Sequence, residues 1–324
     1  MRVFSCAPEQ VPAADILNAK EVAPAFQLDI SLKKRGALLS SVRERHAYDM
    51  LYFRDPYLWY VAAIMRFLFR KKIVFEVHGS HEWKYQQCIW FLALGTAHGA
   101  IFITKALRDY YATGKPSVVA PCYGVDFTKF KTTESVFALR GRLSLPQDVT
   151  IVMYLGSLLW YSMDVLIGMI SLLPSSNILV IAGAKEEEQE SVRALAVEKG
   201  VADRVIIHSR IAHNDVASYH FAADILVNPL VIAHPGSVSA KLYEYLAAGK
   251  PVVSSPGGAN AEVIIHEKNG LLVALDPKEF ADAVRRIEED PRLLRTLSEN
   301  AKESSLQYAW EARAKTIISL LETI

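Results

Sequence analysis

From residue 150 onward, short unbroken apolar runs alternate with stretches of helical spacing. The runs 150–155, 177–182, 204–208, 224–228, 251–254 and 270–273 read as strands. Between and after them, 162–173, 186–199, 213–222, 239–248, 259–265, 277–287, 291–304 and 309–323 read as helices. The charged run Glu186–Glu190 fits the solvated face of one of these helices. In the first half, 49–53, 73–76, 99–104 and 117–120 read as strands. Strands that are apolar throughout, separated by helices, predict parallel sheets covered on both faces. The expected fold class is therefore α/β, with two Rossmann-like doubly wound domains and a linker near 131–149.

In doubly wound sheets, ligands bind beyond the carboxyl ends of the strands, and with two domains the natural site is the cleft between them. The segment SVSAKLYEYLAAGKPVVSSPGG, residues 237–258, is the most informative. Leu242, Tyr245, Leu246 and Ala248 recur at helical spacing; Gly249 and Pro251 stop the helix, and Val252 and Val253 begin a buried strand. Ser237 and Ser239 stand where N-terminal caps belong. A helix start favours phosphate, Lys241 adds a point charge, and Glu244 one turn on could accept sugar hydroxyls. The plainer alternative is a surface ion pair between Lys241 and Glu244.

The carboxyl-end rule selects further candidates. His78 and Gly79 end the run IVFEVHG, where a glycine admits close backbone approach and a histidine could donate to a sugar hydroxyl or a leaving phosphate. Arg54 and Asp55 follow LYF, with Asp55 placed before Pro56 as a turn or cap residue. Gly156 and Ser157 follow VMYL, Gly183 follows LVIA, and Arg210 follows the strand near 204–208. Pro256, Gly257, Gly258 and Glu262 form the turn after the strand at 251–254, where Glu262 equally suits a helix N-terminus.

Composition narrows the class without naming a chemistry. At 324 residues, with 51% hydrophobic and 22% charged residues, the chain suits a globular α/β protein of about two domains. Cys6, Cys88 and Cys122 are scattered and form no CxxC pair, so a reduced, cytoplasmic setting is expected. No signal-peptide pattern is evident. Residues 1–130 carry 17 Lys+Arg against 11 Asp+Glu, whereas residues 131–324 carry 19 against 24. Within the basic half, LWYVAAIMRFLFRKK, residues 58–72, combines Trp59, Tyr60, Phe67 and Phe69 with Arg66, Arg70, Lys71 and Lys72. It suits a helix lying on the inner face of an anionic membrane, and equally a core helix with a basic C-terminus. A nucleic-acid partner is not expected from so modest a field.

KLYEYLAAGKPVV resembles the donor-binding segment of the retaining glycosyltransferases of family 4, also called glycosyl transferases group 1, which have the GT-B fold. VAPCYGVDFTKF, VMYLGSLLWYSMDVLI, ILVIAG, FAADILVNPL, KNGLLV and AWEARA resemble further segments of that family. The similarity is specific from about residue 119 onward and slight before residue 49. The resemblance implies an N-terminal acceptor-side domain over 1–135 and a nucleotide-sugar-binding domain over 148–308. It also implies a last helix, 309–324, that crosses back to the first domain. The implied reaction moves a hexose-type sugar from a nucleotide-diphosphate sugar to a sugar, glycolipid or polysaccharide hydroxyl with retention, in cell-surface assembly. His78, Lys241 and Glu244 are then the catalytic residues, with Gly79, Gly156, Ser157, Gly183, Arg210, Ser237, Ser239, Gly257, Gly258 and Glu262 around the donor. No metal and no further cofactor are expected.

Two departures stand out. Counting eight back from Glu244 reaches Gly236, where many members carry a second glutamate. Ser157 and Ser162 stand where many carry Arg and Lys, leaving Lys241 more of the phosphate's charge. A catalytically weak nucleotide-sugar-binding or scaffold protein is the alternative those departures keep open.

Overall fold

The computed structural model describes residues 2–6, 27–30, 37–79, 84–121, 123–231, 236 and 238–324. The chain divides into two compact units, Met1–Gly124 with Ala309–Ile324, and Val125–Tyr308. The first boundary therefore falls at Gly124, earlier than the expected residue 135.

In unit 1 the described strands are β1 (Arg2–Cys6), β2 (Gln27–Ile30), β3 (Met50–Phe53), β4 (Lys72–Val77), β5 (Gly99–Phe102) and β6 (Ser117–Val119). They pair in parallel in the order β2-β1-β3-β4-β5-β6. The chain reverses direction across the sheet between β1 and β3, which is the topological switch point. Helices α1 (Ala37–Arg43), α2 (Trp59–Phe67), α3 (Lys84–Thr96) and α4 (Lys105–Tyr111) complete the crossovers. β1 and β2 had no sequence-based expectation, because RVFSC and QLDI are too short and mixed to show a period.

The run at 58–72 is half core and half surface. Val61, Ala62 and Met65 of α2 are buried, and Arg66 is engaged by the carbonyls of Thr96 and Ala97 at 2.8 and 2.9 Å. Phe67 and Leu68, by contrast, are more than 70% exposed. Among the described residues no helix is long and apolar enough to cross a membrane.

Unit 2 begins with α5 (Val136–Arg142), inside the stretch expected to be a linker. Tertiary contact explains it: Leu139 is buried, and Arg140 pairs with Asp224 at 2.6 Å while donating to Ala222 O and Val149 O. There follow β7 (Thr150–Leu155), α6 (Met163–Leu172), β8 (Asn177–Ala182), α7 (Glu186–Glu198), β9 (Val205–His208), α8 (Val216–Ala222) and β10 (Ile225–Asn228). Next come α9 (Lys241–Ala247), β11 (Val252–Ser254), β12 (Leu271–Leu272), α10 (Pro277–Glu289) and α11 (Pro291–Ser305). The sheet order is β12-β11-β10-β7-β8-β9, all parallel, with its switch point between β7 and β10.

Alternate residues of each strand feed two cores. Val152, Tyr154, Leu179 and Ile181 pack on one face with α6 and α10, while Ile151, Met153, Leu155 and Val180 pack on the other with α8 and α9. Helix starts follow local chemistry: Ser162 caps α6, Asp276 with Pro277 opens α10, and Asp290 with Pro291 opens α11. The helix expected at 259–265 is only a 3-10 turn, Asn260–Glu262, held by the Asn260 side chain.

The last helix, α12 (Trp310–Thr323), belongs to unit 1. Its Ile317, Leu320 and Leu321 cover Met50, Tyr52, Val74 and Ile101 on one face of that sheet.

Candidate functional site

In unit 2 the carboxyl ends of β7 and β8 and the start of α9 meet at one point. Gly156 ends β7 with φ +114 and Gly183 ends β8 with φ +96, conformations that glycine adopts readily. A methyl group on Gly183 would lie 3.2 Å from the Gly156 backbone, and one on Gly156 would lie 3.2 Å from Lys241 Cε. The absent side chains thus leave room for the Lys241 stem and for a ligand to approach bare backbone beside it.

Lys241 does not pair with Glu244 in the manner of a surface bridge. Its Nζ donates to the Tyr154 hydroxyl at 2.7 Å and sits 3.2 Å from the Tyr161 ring centroid and 4.3 Å from that of Tyr154. Burial lowers the ammonium's pKa well below 10.5, with the Glu244 charge opposing that shift. Burial also pushes both phenols up, so the groups around the cation are neutral. The Tyr154 hydroxyl in turn donates a hydrogen bond to Ser157 O, which ties the turn after Gly156 to the same cluster. Sequence reasoning missed this aromatic setting; the signal was two tyrosines flanking Gly156, at 154 and 161.

Glu244 is half-buried, and burial raises its pKa while Lys241 and Lys129 lower it. Lys129, within the matched segment VDFTKF, is a second cation near this carboxylate that the motif reading passed over.

Ser239 is a correction. The helix starts at Lys241 with Ala240 as its cap, and no side chain caps it. α9 is therefore shorter than the expected 239–248, and the binding argument moves from the helix terminus to the Lys241 side chain. Ser239 is 2% exposed. Its hydroxyl donates to Asn228 Oδ1 at 2.7 Å and meets the Tyr161 hydroxyl at 2.9 Å, while its amide donates to Asn260 Oδ1 at 3.1 Å. Both polar groups are engaged inside the protein, so Ser239 holds the loop in place rather than facing a ligand. Asn260 also donates to Ser255 O, which binds the Gly257–Gly258 turn, with Gly258 at φ +61, to the loop before α9. Glu262 lies in the 3-10 turn that follows.

Ser237 lies outside the described residues. Arg210 is exposed and lines an open groove of about 570 Å³ with Arg142, His208, Asp215 and Tyr219. None of the other described residues expected at the donor site lines it. Among the described residues, no three His, Cys, Asp or Glu side chains are grouped to hold a metal ion.

In unit 1, His78 and Gly79 follow β4, next to the switch-point strand β3. His78 Nε2 is 2.7 Å from Glu76 Oε1, and the Arg54 guanidinium lies 2.9 Å from Nε2 and 3.1 Å from Nδ1. Glu76, the lone charge in the apolar run IVFEVHG, was visible there, but nothing local indicated its partners.

The profile described as "Glycosyl transferases group 1" matches residues 136–304. A D-inositol 3-phosphate glycosyltransferase from Xylanimonas cellulosilytica is 31% identical over 188 residues, 56% of this chain and 44% of that protein. The chain spans about half the length of the curated relatives it matches. In three dimensions it is similar to Anabaena HepE in complex with UDP, with a TM-score of 0.82 at 18% identity. That match covers 100% of this chain and 99% of the other. The HepE complex with UDP-glucose matches over the same shares, with a TM-score of 0.78 at 19% identity. These likenesses establish the two-domain GT-B fold.

Proposed function

The chain belongs to the glycosyl transferases group 1 family, and from that premise we propose that it transfers a hexose-type sugar from a nucleoside diphosphate sugar to a hydroxyl acceptor with retention. The observation that carries this reading is the Lys241 ammonium, held against Gly156 by neutral aromatic groups at the switch point of unit 2. A cation without a strong anionic partner, beside two turns of bare backbone, suits a diphosphate.

In this reading Lys241 and the amides after Gly156 and Gly183 stabilise the charge that develops on the departing diphosphate. Glu244 accepts the ribose hydroxyls, and the 257–258 turn borders the donor. His78 holds the transferred sugar. The acceptor hydroxyl attacks on the face that the diphosphate leaves, a phosphate oxygen takes its proton, and no protein nucleophile is required. The acceptor is a sugar, glycolipid or polysaccharide of the cell surface. Exposed Phe67 and Leu68, followed by Arg70 and Lys72, would rest on an anionic membrane.

The second reading, a nucleotide-sugar-binding protein without turnover, draws on Ser157 and Ser162 in the two usual cation positions. The Ser162 hydroxyl is occupied in capping α6.

Thermal unfolding of the purified protein with UDP, GDP, ADP, TDP and their sugar nucleotides tests both. One nucleotide should stabilise the fold, by about 2.7 kcal/mol at a hundredfold excess over Kd. Lys241→Ala and Glu244→Ala should each remove that gain. No shift with any nucleotide would overturn both readings; a shift without transfer or hydrolysis would select the second.

A further inference from the structure

The machinery behind His78 lies deeper in unit 1. Side chains alternate along a strand, so Val74 and Glu76 of β4 share one face of the sheet, and His78 just past its end continues that alternation. That is the face α12 covers. Glu76 is 1% exposed there. Its Oε1 lies 2.6 Å from Arg313 Nη2 and 2.7 Å from His78 Nε2, and its Oε2 accepts from the Tyr52 hydroxyl. Arg313 also donates from Nε to Pro121 O at 2.7 Å, which fixes the guanidinium's direction.

A carboxylate only accepts, so its contact with His78 requires the imidazole proton on Nε2. Arg54 Nε, 2.9 Å from the same nitrogen, competes as a donor. The ionised carboxylate is the stronger partner because its hydrogen bond is charge-assisted. Nδ1 then carries the lone pair, toward which Arg54 Nη2 points at 3.1 Å.

We propose that Glu76 and Arg313 are positioning residues for His78: Arg313 holds the carboxylate in the core, and the carboxylate holds the Nε2 proton and with it the orientation of the ring. The inference rests on His78 as the sugar-holding residue and adds what fixes its ring and tautomer. Burial alone would push the Glu76 carboxyl up and neutralise it; Arg313 and His78 bring it down to about 2 instead. A neutral acid at this place could donate as well as accept, and the ring would be free to take either tautomer.

Two-bond proton–nitrogen spectra of the imidazoles at neutral pH, with His78 assigned by His78→Ala, read the tautomer directly. The native protein should show His78 protonated on Nε2. Glu76→Gln should give a mixture, and Arg313→Lys should keep the native tautomer because it retains the charge. An unchanged tautomer in a folded Glu76→Gln protein overturns the proposal.

Turnover of UDP-glucose by hydrolysis supplies the second readout. Glu76→Gln should lower kcat between about 10- and 100-fold through misplacement of the ring, with donor KM changed by less than about twofold. In a His78→Ala background the same substitution should cost almost nothing. Equal cost in both backgrounds overturns the positioning role. If His78→Ala alone leaves hydrolysis at the native rate, the sugar-holding reading falls, and the spectra still decide what positions His78.

Discussion

Glu76 in unit 1 and Lys241 in unit 2 both stand near the carboxyl ends of parallel sheets, and the protein treats their charges in opposite ways. Glu76 is surrounded by opposite charge and donors: Arg313, His78 and the Tyr52 hydroxyl. Lys241 is surrounded by the rings of Tyr154 and Tyr161 and one neutral hydroxyl, with Glu244 acting only at longer range. The carboxylate is stabilised as an ion, with its pKa lowered to about 2; the ammonium is destabilised, with its pKa lowered well below 10.5. A charge whose partners are all present in the fold is part of the scaffold. A charge held by π faces, which give about 2 kcal/mol even when desolvated, and by one neutral hydroxyl is poised for a partner from outside.

The contrast is broken most forcefully at Arg313. Arg313→Met should cost about 3–5 kcal/mol in chemical unfolding, since it leaves a buried carboxylate short of its strongest partner. Adding Glu76→Gln should restore part of that loss. A cost below about 1 kcal/mol would mean that the pair does not stabilise the ion.

Lys241→Met should act in the reverse sense. It should abolish stabilisation by whichever nucleoside diphosphate binds while raising the stability of the ligand-free protein near neutral pH. The sign follows from linkage. Below the depressed pKa both folded and unfolded chains hold the proton, and above 10.5 neither does. Between those limits the unfolded chain holds more, so the native protein gains stability as pH rises across that window, and the variant loses this slope. Affinity for that nucleoside diphosphate should move the other way, falling as pH rises through the depressed pKa, because the diphosphate needs the ammonium. Calorimetric titration above pH 7, beyond the phosphate's own titration near about pH 6, would show it; a flat profile would place Lys241 away from the diphosphate.

Smaller effects separate the two glycines. Gly156→Ala should cost about 1–3 kcal/mol and weaken binding of the nucleoside diphosphate, because φ is +114 and the new methyl meets Lys241. Gly79→Ala should change stability by less than about 0.5 kcal/mol, since a methyl there meets nothing within 4 Å. Any larger loss of turnover in Gly79→Ala would then report a ligand against that backbone.

Much of unit 2 was legible because its signals are local. Buried parallel strands read as apolar runs, and caps such as Ser162, Asp276 and Asp290 mark where helices begin. What was missed depends on distant contacts. α5 forms inside a supposed linker because Arg140 reaches Asp224, and the stretch 259–265 stays a 3-10 turn because Asn260 is drawn to Ser255 and Ser239. Lys241, Gly156 and Gly183 were readable from motif and strand-end position. Their mutual contact was not, nor was the loss of Ser239 to the core.

The sequence by itself determined the period of each element, the glycines at the strand ends, the family and the identity of the charged groups. Those properties are set by residues a few positions apart, whose steric and hydrogen-bonding preferences act within one turn or one strand. Only the tertiary structure decided what each charge faces. Arg313 meets Glu76 from 237 residues away, and Tyr154 meets Lys241 from 87. Burial and the sign of the nearest neighbour set the energy of an ion, and in this protein both come from chain segments far apart in sequence.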